Sequence, residues 1–583
     1  MRRNPFLVAI RLAVTLGVLS AASSQAIAGA APAAARGTDA SSLESKVDAL
    51  FAKWNSLDTP GAAVAIVKDG MVIYRKGFGC AQLEYGIPIT PSTVFHVASV
   101  SKQFTAMAVT MLEAEGKLSA DDDIRKYLPE LPDFGKTITI RHLLNHTSGL
   151  RDQWELLILS GWRMDDVITQ AQIMDRLKRQ KELNFPPGDQ YLYCNSGFTL
   201  LAEIVSRVSG QSFTDWTRDN IFKPLGMTST HFHMDHQEIV KNRAYSYGGE
   251  PGKGFEAAVL NYANAGATSL FTTVEDMANW LRNFDEKRVG GAAVLDKMLT
   301  KGVLNNGKEI PYARGIQVDE HKGLKMIGHS GGDAGFRSDV IYFPGEKFGV
   351  AIFSNLGSFQ PGTLTREIAD IYLASKLKQP ETPAPGAKTS QAKPAPKEFS
   401  LPVKSLEAFV GTYWFETNQN LRRVVLEKDK LFYVRSAENR SELMPVSAME
   451  FKMKDVPDEV RVVFSDKTGI RYDTVTVTVG SDTPVVGKWM EPFNPSEEAL
   501  KEYAGQYYSD ELDTHYELTL KSRALLVQFG HNEPMPLNPQ KKDVFQAGGF
   551  ASIHFVRNAN GAIAGFTATT GRVRNLKFTK LTS

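Results

Sequence analysis

Apolar positions along the chain fall into two regimes. Between residues 41 and 378, helix-spaced stripes alternate with short strand-like runs. Phe104, Met107, Ala108, Met111 and Leu112 recur at the three- and four-residue spacing of one helix face, and Gly116 follows as a C-cap. A helical pattern opens at Ser41–Ser42, and the run from Ser338 to Phe343 reads as a strand. Beyond residue 400 the period becomes two, as in Tyr472-Asp473-Thr474-Val475-Thr476-Val477 and Tyr516-Glu517-Leu518-Thr519-Leu520. That period predicts half-buried antiparallel strands.

The second regime repeats itself. Leu406, Gly411 and Tyr413 match Leu500, Gly505 and Tyr507. Val424, Leu426 and Leu431 match Leu518, Leu520 and Leu525, and Leu443 and Phe451 match Leu537 and Phe545. Every pair is 94 residues apart. Units of that size with many short strands predict two small antiparallel β-barrels, over 400–493 and 494–583. No polar constellation marks either copy, so their plainest reading is two all-β additions without chemistry of their own. They could still cap or narrow a site elsewhere. Before them, Pro380, Pro383, Pro385, Pro394 and Pro396 lie among Ala, Lys and Thr, which predicts an extended linker over 379–399.

The N-terminus carries its own pattern. Arg2 and Arg3 precede the short apolar run Leu12 to Ala22, and Ala26-Ile27-Ala28 offers small residues for cleavage. This predicts a signal peptide over 1–28, an Ala- and Gly-rich leader to residue 40, and a periplasmic or secreted protein without a membrane span after cleavage.

Composition narrows the classes. With 583 residues the chain exceeds the roughly 250–300 at which one core stops growing, so several domains are expected. Lys and Arg number 67 and Asp and Glu 65, which gives no basic surplus for a nucleic-acid partner. Two cysteines, Cys80 and Cys194, cannot form a disulfide scaffold or a four-cysteine zinc site. Cys194 reads as a buried packing residue.

The candidate chemistry lies in 41–378. Ser99-Val100-Ser101-Lys102 precedes the apolar helical stripe, so Ser99 sits at or near a helix N-terminus with Lys102 one turn on, on the same face. A serine hydroxyl needs a base to become a nucleophile, and a lysine desolvated against an apolar face can act as one. The helix N-terminus offers N–H groups to a developing oxyanion. Tyr193-Cys194-Asn195 follows Phe185-Pro186-Pro187-Gly188, and His329-Ser330-Gly331-Gly332 precedes the strand at Ser338.

The order Ser-x-x-Lys, Tyr-x-Asn, then a polar residue with x-Gly on a strand resembles the serine β-lactamase and penicillin-binding-protein superfamily. Three further stretches add to the likeness: Leu143 to Leu150, Pro224 to Thr228 and Thr273 to Met277. His329 stands where many members carry lysine, which resembles the D-aminopeptidase, D-amino-acid amidase and esterase branch and a peptidase of linearised microcystin. The resemblance implies an α+β catalytic domain over 41–378, an antiparallel sheet flanked by helices plus a helical lobe, followed by the two barrels. It implies Ser99 as nucleophile, Lys102 and Tyr193 sharing base duty, and a lysine ammonium lowering the tyrosine pKa. Asn195 would orient the substrate amide and contact Lys102, and His329 would hydrogen-bond substrate or Tyr193. Ser330, Gly331 and Gly332 would line the substrate, with the N–H groups of Ser99 and Gly332 as oxyanion hole. The expected activity is that of a serine peptidase or amidase on small peptides, D-configured or unusual residues included, with no cofactor and no metal. An esterase, a β-lactamase or D-Ala carboxypeptidase, and a slow-turnover sensor are the alternatives. A homo-oligomer is left open.

Two rival motifs compete. Gly328-His329-Ser330-Gly331-Gly332 fits the Gly-x-Ser-x-Gly elbow, which requires a helix directly after it and a later histidine; only His515, His531 and His554 follow, all in the repeats. His231-Phe232-His233-Met234-Asp235-His236 imitates a zinc signature, and its plainer reading is a polar surface loop.

Overall fold

The computed structural model describes residues 38–378 and 399–582, apart from 418, 437–438, 457–458 and 481–483. The expected signal peptide, and all but the last residue of the expected linker, lie outside the described residues. Among those described, no helix is long and apolar enough to cross a membrane.

A six-stranded antiparallel sheet forms the frame of the first region. Its strands are β1 (Ala62–Lys68), β2 (Met71–Phe78), β3 (Gln317–His321), β4 (Leu324–Asp333), β5 (Phe336–Phe343) and β6 (Phe348–Ser354), in the order β3-β4-β5-β6-β1-β2. The two ends of this region therefore meet in one sheet. Strand β1 is apolar at almost every position because both its faces are covered. Ala62, Val64 and Ile66 face a cluster built with helices α1 (Thr38–Leu50) and α6 (Pro361–Tyr372). Ala63, Ala65 and Val67 face the larger cluster that includes α5 (Val274–Glu286) and the helical lobe.

Helix α2 (Ser101–Ala114) runs through that larger core. The apolar stripe predicts one buried face, yet Ser101, Lys102, Gln103, Thr105 and Thr110 are buried as well. Internal partners make this affordable: Thr105 Oγ1 donates to Gly266 O at 2.8 Å, Thr110 Oγ1 to Ala106 O at 2.7 Å, and Trp280 Nε1 to Gln103 Oε1 at 2.9 Å. The polar side of α2 is thus an interior lining.

Two closed eight-stranded antiparallel barrels follow, from Gly411–Phe415 to Val485–Trp489 and from Gly505–Ser509 to Leu576–Lys580. Their repeat is structural: Gly411 pairs with Val424 as Gly505 pairs with Leu518, and Leu431 with Leu443 as Leu525 with Leu537. The repeated Tyr413 and Tyr507 are fully buried and each donates its hydroxyl to a backbone carbonyl, Tyr472 O at 3.0 Å and Tyr503 O at 2.8 Å.

The barrels differ in what they touch. The first has a core of its own. The apolar core of the second is continuous with that of the sheet-and-helix region. Tyr516 Oη donates to Leu159 O at 2.8 Å, and Arg151, 1% exposed, pairs across the joint with Glu511 and donates to Arg574 O at 2.9 Å. Gly161 lies flat against Gly530, where a Cβ would come within 2.7 Å of the opposite Cα.

Candidate active site

Ser99 lies in a single 3-10 turn, Ala98–Val100, that leads directly into α2. Ala98 before it takes φ +46°, a left-handed conformation that costs an L-residue roughly 1–2 kcal/mol. The turn is pinned from several sides. Ser101 Oγ donates to Ala98 O at 2.5 Å, Ser338 Oγ to Val97 O at 2.8 Å, and Val97 N to Leu270 O at 3.0 Å. These bonds leave Ser99 half-buried at the N-terminal end of α2.

Lys102 is fully buried, with Nζ 3.0 Å from Ser99 Oγ, 2.8 Å from Asn195 Oδ1 and 2.8 Å from Ala267 O. Burial brings its pKa down to about 7, opposed by the charges of Asp333 and Asp152 and assisted by Arg572. In the neutral amine the two N–H groups match Asn195 Oδ1 and Ala267 O, and the lone pair faces Ser99.

Asn195 opens helix α4 (Asn195–Ser209). Asp152 Oδ2 accepts from both its backbone N–H, at 2.7 Å, and its side-chain amide, at 2.8 Å, so Asn195 Oδ1 is turned towards Lys102. Asp152 itself caps α3 (Gln153–Leu159), accepting from Trp154 N at 3.0 Å.

Tyr193 presents its ring to Lys102 Nζ, 4.9 Å from the centroid. Its hydroxyl is buried and makes no hydrogen bond of good geometry, although it faces Ser99. The expected lowering of the tyrosine pKa does not occur. Burial raises it well above the usual phenol range, outweighing the Ser99 hydroxyl and the Arg572 charge, which pull it down.

His329 lies on β4. Its Nε2 lies 2.9 Å from Tyr312 Oη and its Nδ1 2.6 Å from Ser330 O. The carbonyl fixes the proton on Nδ1, and Nε2 accepts from the Tyr312 hydroxyl, where a bond with Tyr193 is one expectation from the sequence. Burial and the Lys102 charge depress the His329 pKa to about 3, so the ring is neutral at any ordinary pH. His146 packs on Tyr193, with ring centroids 4.2 Å apart, accepts from Cys194 N at 3.1 Å, and is held neutral by burial.

Gly331 brings β4 against the serine turn. A Cβ there would stand 2.4 Å from Val97 O and 2.8 Å from Ser99 N, so only glycine fits. Ser330 and Gly332 are exposed on the same strand. Thus the structure gathers Ser99, Lys102, Tyr193 and Asn195 around one point, brings Gly331 to the Ser99 amide, and ties His329 to Tyr312.

Neither rival motif has the required frame. Residues 328–332 lie within β4 and lead into β5, with no helix after Ser330. His231 is on a short strand, His231–Phe232, and His233 is 2% exposed, so the surface-loop reading holds only from Asp235 onwards. His231, His233 and Glu238 are close together, yet Arg243 stands beside both rings as a fixed cation opposed to a second one. Cys80 and Cys194 are free and buried; burial pushes the Cys194 thiol up to about 12, which suits packing and not nucleophilic attack.

Asp152, Tyr312 and Arg572 escape the sequence reading. Arg572 belongs to the second barrel, and its guanidinium carbon lies 5.0 Å from the Tyr193 ring centroid. No spacing links it to Ser99. His146 lies inside the Leu143–Leu150 stretch but carries no signal of its own.

The family model described as Beta-lactamase matches residues 44–373. The D-aminopeptidase of Gluconobacter oxydans is 31% identical over 314 residues, 54% of this chain and 58% of the relative. That of Brucella anthropi is 31% identical over 297 residues, 51% and 56%. The chain thus spans a little over half the length of these curated relatives. Among solved structures, the octameric penicillin-binding protein homologue from Pyrococcus abyssi shares the fold. It has 24% identity and a TM-score of 0.52, and the match covers 77% of this chain and 100% of that one. Because the family match extends over more than half the chain and holds the serine turn, its lysine and the glycine strand together, this chain belongs to the Beta-lactamase family.

Proposed function

We propose that the protein is a serine hydrolase that cleaves amide or peptide bonds through an acyl-enzyme on Ser99. The observation that carries this reading is the environment of Lys102. Two acceptors occupy both N–H groups of the neutral amine, which leaves its lone pair for the Ser99 proton. In the proposed cycle Ser99 Oγ attacks the substrate carbonyl and its proton passes to Lys102 Nζ. The oxyanion is received by the N–H groups of Ser99 and Gly332. Collapse expels the amine, which takes the proton back through Lys102 or the protonated Tyr193. Water then adds to the ester carbonyl and gives a proton to Lys102, which passes it to Ser99 Oγ as the acid leaves, restoring the neutral amine and the free hydroxyl.

The D-aminopeptidase relatives support small amides or peptides as substrates, with D-residues included. The neutral His329 agrees with a site whose strand wall does not hold a carboxylate by charge. Export to the periplasm or the medium belongs to the same proposal and rests on residues 1–28 alone.

The test is initial-rate hydrolysis of a D-alanyl anilide and its L-isomer by wild type and Ser99→Ala, with mass spectrometry of the quenched protein. Turnover of the D-isomer that vanishes in Ser99→Ala, with an acyl adduct on the Ser99 peptide, is expected. Turnover that survives in Ser99→Ala overturns the reading. Cleavage of esters but of no amide replaces the amidase by an esterase with the same nucleophile.

A further inference from the structure

The second barrel contributes a side chain to the wall of the site. Residues 570–574, between the last two barrel strands, lie against the start of α3. The backbone does the docking. Arg572 N donates to Glu155 Oε2 at 2.5 Å, and Arg572 O accepts from Asn184 Nδ2 at 2.9 Å and Asp152 N at 3.3 Å. Thr570 Oγ1 also bonds Glu155, and Arg574 N donates to Asn184 Oδ1 at 2.8 Å. Any residue at 572 could make the backbone contacts, so they do not explain an arginine.

The guanidinium is left over for something else. It lies over the Tyr193 ring, on which Lys102 also lies, at 5.0 and 4.9 Å from the centroid. Its approach to a carboxylate is 3.9 Å from Nη1 to Asp152 Oδ2, too long for a hydrogen bond and aimed at an oxygen that already accepts two from Asn195. The side chain is 39% exposed, with no hydrogen-bond partner for its N–H groups among the described residues. A docked backbone thus holds a planar fork of donors over the Tyr193 ring, partly open to solvent beside the site.

We propose that Arg572 is the anchor for a substrate carboxylate, so that the preferred substrates are acidic peptides whose carboxylate lies within about three residues of the scissile bond. The proposal rests on the Ser99 hydrolase reading. It gives the second barrel a role in selection and moves the charge that reads the substrate from the strand wall to the barrel.

The test uses the full-length chain carrying Ser99→Ala, so that binding is measured without turnover. The probes are two peptide pairs: D-glutamyl-D-alaninamide with D-glutaminyl-D-alaninamide, and D-alanyl-D-alanyl-D-glutamate with its D-glutamine amide. Calorimetric binding is expected to favour the acid in at least one pair by about tenfold, less at high salt. Adding Arg572→Gln should erase that preference, and adding Arg572→Lys should restore part of it. The lysine variant, which keeps the charge and loses the fork, also serves if the glutamine variant is unstable. Equal binding of acid and amide, absence of acid binding in both pairs, or a preference that survives Arg572→Gln overturns the carboxylate site. If Ser99→Ala abolishes hydrolysis in those cases, the hydrolase reading stands without it. Hydrolysis that survives Ser99→Ala overturns the hydrolase reading whatever Arg572 does.

Discussion

Lys102 Nζ stands 3.0 Å from Ser99 Oγ, and the lysine is fully buried. Three-residue spacing at the head of α2 sets the proximity, and burial of the polar side of that helix lowers the pKa. A lysine that is half neutral near pH 7 is a competent base, and the same burial makes it a burden on the fold.

The pH dependence of activity should therefore show an acid limb near pH 7. On a neutral amide substrate kcat/KM is expected to rise about tenfold per unit below that value and level off above it. A limb that lies in the carboxylate range instead overturns the assignment of Lys102 as base.

Stability has the matching signature. The folded pKa of Lys102 is depressed, so the unfolded chain binds more protons between about pH 7 and the usual lysine range. The cost of burial is complete below pH 7 and fades as pH rises above it. Relative to Lys102→Met, the wild type should gain on the order of 3–5 kcal/mol from pH 7 to 10.5. Paired denaturant titrations across that range check it; a constant difference contradicts it.

Asp152 aligns Asn195 through two bonds to one oxygen and also raises the Lys102 pKa by its charge. In Asp152→Asn the helix cap survives, since asparagine caps equally well. We expect kcat to fall about 10–100-fold with little change in KM, and the acid limb to move to lower pH. A pure loss of stability, with an unmoved limb, would assign Asp152 a structural role only.

Gly331→Ala tests the closeness of β4 to the serine turn. The added methyl meets Val97 O and Ser99 N, both backbone, so the turn or the strand must move. The expected result is a loss of kcat of about 100-fold with an intact fold by circular dichroism. Gly332→Ala, where the same atom has only ordinary contacts with Arg337, should be milder.

The joint between barrel and sheet region depends on the buried Arg151–Glu511 pair. Arg151→Ala leaves a buried carboxylate alone and should cost about 3–5 kcal/mol. Arg151→Met with Glu511→Leu should cost much less, as measured by thermal unfolding of the full chain. Equal losses would show that the pair is not desolvated.

Local spacing determined much of this protein. A serine three residues before a lysine at the head of an apolar helix must place both on one face, because the helical period allows nothing else. The 94-residue repeat likewise fixed two barrels, since alternating burial along a strand dictates its register, and Gly411 with Val424 and Gly505 with Leu518 pair alike. What spacing does not encode is how far a side chain is removed from water and which distant group meets it. The lowered pKa of Lys102, the raised pKa of Tyr193, the Tyr312 bond to His329, and the Asp152 contact with Asn195 all depend on packing between segments far apart in the chain. Arg572 is the extreme case. It reads as one more residue of a barrel turn, and the shared core together with the backbone bonds of that turn carries it to Tyr193. Desolvation and long-range contact belong to the tertiary structure because they are properties of a closed volume, and a linear pattern describes only one surface of each element at a time.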